Sequence, residues 1–137
     1  MNAEIYKNLA WSVYLSDWDG PVEGERPTGY ILILRDLSLQ KNQTVDEGIV
    51  AQTIFLGARD MGYGGCMLMN IKRTELMEIF GLDPEKYAIS MVIAFGVPVE
   101  EVKMVEVKDD DIKYYRDENQ VHYVPKRSLK DVIVKEL

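Results

Sequence analysis

The side chains best suited to acid–base or nucleophilic chemistry are few: one histidine, His122, one cysteine, Cys66, and the acid pairs Asp17/Asp19 and Glu23/Glu25. Without His122 no Ser-His-Asp arrangement can be assembled, and no Gly-x-Ser-x-Gly elbow occurs. His122 lies in a hairpin pattern whose alternation leaves its direction open, so a structural or solvent-facing role is expected. Cys66 opens the apolar run Cys66-Met67-Leu68-Met69, so it is expected to fill core in a buried strand, where a thiol is inert. The paired carboxylates sit among turn formers and are expected to be solvated. Phosphate-loop and Gly-x-Gly-x-x-Gly fingerprints are absent. Gly62-Tyr63-Gly64-Gly65 follows a helix and precedes a strand, the reverse of the dinucleotide-binding order. If this chain is an enzyme, an organic cofactor has to supply the hard step.

The element best able to position such a cofactor is residues 46–66. It reads as a long, nearly all-apolar helix ending in a glycine cluster and running into the strand that begins at Cys66. Thr44 and Glu47 have capping-box spacing at its start, and Gly62 after Met61 fits the left-handed position that ends a helix. A helix this apolar is expected to be covered on most of its circumference. Gly48, Ala51 and Ala58 leave room for another helix to approach, and the glycines after Met61 let main chain approach a ligand.

Around this centre, residues 3–11 read as a short helix with Ile5, Leu9 and Tyr6 on one side. Residues 17–27, rich in Pro and Gly and carrying Trp18, form a loop suited to a lid or a dimer contact. Residues 30–34 and 87–95 read as continuous apolar strands buried on both faces. Residues 73–80 read as a helix with Leu76, Met77, Ile79 and Phe80 inward and Gly81 as its stop. Residues 113–116 and 121–124 flank the polar turn Asp117-Glu118-Asn119-Gln120 as a hairpin. Residues 128–137 suggest a helical turn followed by a strand through Val132, Ile133 and Val134.

Strands and helices mix without strict βαβ alternation, which predicts an α+β class in a single domain over residues 1–137. So much apolar surface in a chain of this length calls for a partner chain, and a homodimer is expected. The formal net charge of -7 argues against nucleic acid, which demands a basic face. One phosphate-bearing ligand needs only two or three local cations, and Asp109-Asp110-Asp111 reads as a solvated turn. Apolar runs are too short to span a bilayer, and no signal-peptide pattern opens the chain. The lone cysteine offers neither a disulfide nor metal-ligand spacing, so a cytoplasmic setting is the default.

These residues resemble the nitroreductase family of FMN-dependent oxidoreductases. Residues 46–52, Asp-Glu-Gly-Ile-Val-Ala-Gln, are similar to the family's Asp-x-Gly-x-Ala-x-Gln helix start. Residues 58–66 match its Ala-x-x-x-Gly-Leu-Gly-Ser/Gly-Cys turn, and residues 79–98 look like its helix, strand and closing Gly-x-Pro. His122-Tyr123-Val124-Pro125-Lys126-Arg127, Trp11 and the loop at residues 17–21 resemble a bacterial branch. The resemblance implies an α+β fold with a mixed or antiparallel sheet flanked by helices. It also implies a homodimer with FMN at the interface, and hydride passing from NAD(P)H through the flavin to a nitroaromatic, a quinone or a similar acceptor.

By position, the resemblance implies that main chain at Gly65, Met67, Leu68, Met69 and Asn70 lies against the isoalloxazine ring, and that Lys126 and Arg127 face the FMN phosphate. It assigns no catalytic side chain. The plainer readings are a core strand end for the first group and an exposed basic pair for the second. The family opens on an Arg-Arg-Ser-like phosphate-gripping segment that this sequence lacks, so an N-terminally short form is expected. Its alternative function is a non-catalytic dimer with weak or no flavin binding.

Overall fold

The computed structural model describes residues 1–135. They fall into two compact units, one built from Met1–Trp11 and Asp19–Pro98, the other from Ser12–Trp18 and the chain from Val99 onward. Both are α+β, with small antiparallel or mixed sheets and helices. Among the described residues no helix is long and apolar enough to cross a membrane.

The first unit contains α1 (Asn2–Tyr6), β1 (Gly29–Asp36), α2 (Asp46–Asp60), β2 (Gly64–Leu68), α3 (Arg73–Phe80) and β3 (Tyr87–Gly96). β3 is the central strand, antiparallel to β1 on one side and β2 on the other. Its apolar run from Ile89 to Ala94 is buried, as the sequence predicts for a strand covered on both faces. Ile89, Val92 and Ala94 pack with Ile5, Leu9, Leu68, Leu76 and Met77. Met91 and Ile93 pack with Ile33 and Ala51 on the α2 side. β1 is a correction: as an edge strand it buries only Ile33, and Leu34 stays 39% exposed.

A bulge between β1 and β3 leaves Ser90 without a partner, because Ile33 pairs with Met91 and Leu34 with Ile89. The Ser90 hydroxyl donates to the Glu47 carboxylate at 3.3 Å. Glu47 also accepts from the Thr44 N–H and hydroxyl at 2.9 and 3.0 Å and from Arg35 Nη1 at 3.2 Å. The carboxylate half of the anticipated capping box is therefore present and extended into the core. Burial alone would raise the Glu47 pKa, but these hydrogen bonds favour its charged form and hold it down at about 2.

α2 ends in a Schellman cap: Tyr63 N–H donates to the Ala58 carbonyl, Gly62 N–H donates to that of Arg59, and Gly62 takes φ 84°. The same bond pattern closes α3 at Gly81. The expected coverage of α2 is not found among the described residues. Val45, Ile49 and Leu56 recur at helical spacing on one face, 76%, 61% and 63% exposed. The part of the loop in this unit, residues 19–27, is anchored, with the Tyr6 hydroxyl donating to the Pro21 carbonyl and Gly20 buried.

The second unit contains β4 (Val102–Glu106), β5 (Tyr115–Arg116), β6 (His122–Lys126) and α4 (Leu129–Val132). β5 and β6 form the anticipated hairpin, its turn held by the Asp117 carboxylate accepting from Asn119 and Val121 N–H. β4 joins β6 in parallel, a strand the sequence reading did not anticipate. The tail makes its helical turn, capped by reciprocal Ser128–Asp131 bonds. The expected strand through Val132, Ile133 and Val134 does not form: Val132 closes α4 and Ile133 and Val134 are in no strand, while residues 136–137 of the tail lie outside the described residues.

Candidate functional site

The glycine corner leads directly from the α2 cap into β2. A Cβ on Gly65 would sit 1.9 Å from the Ala94 carbonyl oxygen, so the main chain there is closer to its neighbour than any side chain permits. Among the described residues β2 pairs only with β3, leaving its outer edge without a strand. The expectation of a buried strand is corrected: Leu68 is buried, whereas Cys66 is exposed and Met67 and Met69 are 39% and 50% exposed. The reason is positional. An apolar run on an edge strand has one sheet neighbour, and only Leu68 of this run reaches the core packed by α1 and α3.

Just past β2 the peptide groups are arranged asymmetrically. The Met69 carbonyl accepts from Arg73 Nη2 at 3.1 Å, and the Asn70 carbonyl accepts from Ala10 N–H at 3.0 Å. Among the described residues neither the Met69 N–H nor the Asn70 N–H donates a hydrogen bond. The acceptors are tied back into the protein while, among the described residues, the two donors have no partner. Unpartnered main-chain N–H in exposed residues, beside two exposed methionines, suits a flat, partly polar ring carrying carbonyl and ring-nitrogen acceptors. The residues present therefore fit an isoalloxazine edge.

The other expected group lies in the second unit. Lys126 ends β6 and is exposed, its carbonyl accepting from Val107 N–H at 3.1 Å. Arg127 Nη1 pairs with Asp110 Oδ1 at 2.8 Å, with both side chains largely solvated. His122 is mostly buried: its Nδ1 is 3.0 Å from Glu100 Oε1, which also receives Arg116, and its ring meets the edge of Tyr114. The loop acids Asp17, Asp19, Glu23 and Glu25 are exposed, as expected. Among the described residues no group of His, Cys, Asp and Glu is placed to hold a metal ion. Sequence reasoning missed Arg73. A cation in the first turn of a helix runs against the helix dipole, and that is the signal that could have found it.

The Nitroreductase family model matches residues 18–97, more than half of the chain. The chain belongs to the nitroreductase family, a family of flavin-dependent oxidoreductases. The match includes the glycine corner and the Met69–Asn70 peptide, whereas Lys126 and Arg127 lie beyond it. Comparison with curated proteins returned no match.

Proposed function

We propose that this protein is an FMN-dependent oxidoreductase that works as a cytoplasmic homodimer. The single observation that carries the reading is the pair of N–H groups at Met69 and Asn70 that have no partner among the described residues, while both residues' carbonyls are committed. When bound, FMN would supply hydride transfer from NAD(P)H to a nitroaromatic, a quinone or a similar acceptor. The chain's own part is to bind and orient. Met67 and Met69 offer apolar contact to the ring, Met69 and Asn70 N–H donate to its polar edge, and Gly65, having no Cβ, lets β2 lie close against β3 at that corner. Lys126 and Arg127 are the proposed phosphate partners, where charge-assisted bonds are strongest.

Dimerisation is argued from α2. Its exposed stripe of Val45, Ile49 and Leu56 leaves three large apolar side chains in water, and among the described residues a Cβ added at Gly48 or Gly57 would meet nothing within 4 Å. Helical glycine is unfavourable by about 1 kcal/mol relative to alanine, and a closely approaching second helix gives it a use. A second copy of this chain is the proposed cover.

One observation favours the rival, a family scaffold that holds no flavin: Arg127 already has a carboxylate partner in Asp110. Visible absorption of the purified protein, followed by FMN reconstitution, separates the two. The expected result is a yellow protein that loses at least tenfold in FMN affinity when Lys126 and Arg127 are both replaced by Ala, since charged hydrogen bonds contribute about 1.5–3 kcal/mol each. A colourless protein that cannot be reconstituted supports the rival, and unchanged affinity in the double variant removes the phosphate assignment.

A further inference from the structure

Arg73 is the first residue of α3, preceded by Lys72, at the helix end where the dipole already favours negative charge. Two adjacent cations there oppose the local rule, and the geometry supplies a reason for the second. The Arg73 guanidinium donates to three main-chain carbonyls: Nε to Ile89 at 2.9 Å, Nη2 to Ser90 at 3.2 Å and Nη2 to Met69 at 3.1 Å. Two of these acceptors are the bulged Ser90 and its neighbour Ile89, and the third belongs to the Met69–Asn70 peptide. Among the described residues no carboxylate forms an ion pair with Arg73, an exposed residue whose guanidinium donates to carbonyl oxygens.

A trans peptide is planar, with its carbonyl and N–H pointing in opposite directions. Whatever fixes the Met69 carbonyl therefore fixes the direction of the Asn70 N–H. A cation on that carbonyl also polarises the peptide and makes its N–H a stronger donor. We infer that Arg73 is a positioning residue for the flavin site. It locks and polarises the Met69–Asn70 peptide so that the Asn70 N–H is aimed at the polar edge of the ring, and its un-neutralised charge raises the flavin's reduction potential. This rests on the FMN reading above, and its failure can be told apart from the failure of that reading.

The test uses the full chain with Arg73→Met and Arg73→Lys, loaded with FMN by equilibrium dialysis. In Arg73→Met, FMN affinity is expected to fall about tenfold, the order of one lost hydrogen bond. The two-electron midpoint potential is expected to drop by an amount equivalent to a tenfold shift, about 30 mV. Arg73→Lys keeps the charge but cannot bridge three carbonyls, so it should retain most of the potential while still losing affinity. Equal affinity and potential in all three proteins overturn the inference and leave the FMN reading standing. If none of them takes up FMN, the FMN reading falls and the electronic part of the inference falls with it. The positioning role is then decided by the amide spectra of the unloaded proteins. A single sharp Asn70 amide signal that broadens or splits in Arg73→Met upholds it, and an unchanged Asn70 signal overturns it.

Discussion

Glu47 is the residue whose environment departs furthest from what its neighbours in sequence suggest. It sits in the first turn of an apolar helix and gathers donors from Thr44, Arg35 and Ser90. Its carboxyl falls from an ordinary 4.5 to about 2 in the folded chain. A depressed carboxyl stabilises the fold above its unfolded pKa, and this contribution drains as pH falls from about 4.5 toward 2. Glu47→Gln should lower the melting temperature at pH 7 and flatten the acid limb of stability against pH, measured by circular dichroism melts. An acid limb identical to that of the wild type would contradict the assignment. Asp110 is the second residue with a testable role. Exposed ion pairs are weak, so Asp110→Asn should free Arg127 and tighten FMN binding only a few fold in a fluorescence titration. Weaker binding would mean that Asp110 supports the site rather than competing for it.

At the level of elements, the glycine corner depends on β2 lying unusually close to β3. Gly65→Ala forces a methyl group into the Ala94 carbonyl, and backbone displacement of this kind costs about 1–3 kcal/mol. Urea denaturation should show that loss, and a stability equal to wild type would contradict the close approach. α2, both Schellman caps, β3, α3 and the β5–β6 hairpin were legible, because each is written in local periodicity or in turn chemistry at fixed offsets. The burial of β1 and β2 was not. An apolar run looks the same in a central strand as at an edge, and only the order of strands decides which faces are covered. β4 was missed because its pairing with β6 is parallel and distant in sequence, so no local signal contains it. Cys66 was misjudged through β2. Arg73 was visible as a letter, but its three carbonyl partners come from separate stretches of chain.

For the whole molecule, the exposed stripe on α2 is the observation from which a second copy is proposed. Leu56→Glu places a charge in the centre of the proposed contact. It should shift the protein from dimer to monomer at micromolar concentration in analytical ultracentrifugation, with the monomer fold retained. A variant that remains as dimeric as wild type would move the interface elsewhere. The central claim is narrower than the oligomer: main-chain donors at Met69 and Asn70 meet the flavin. The most direct measurement is an FMN titration of the unloaded protein followed through backbone amide resonances. Saturable binding with large downfield shifts of the Met69 and Asn70 amides is the predicted result. FMN that binds without moving those two signals, or that does not bind, would contradict the account.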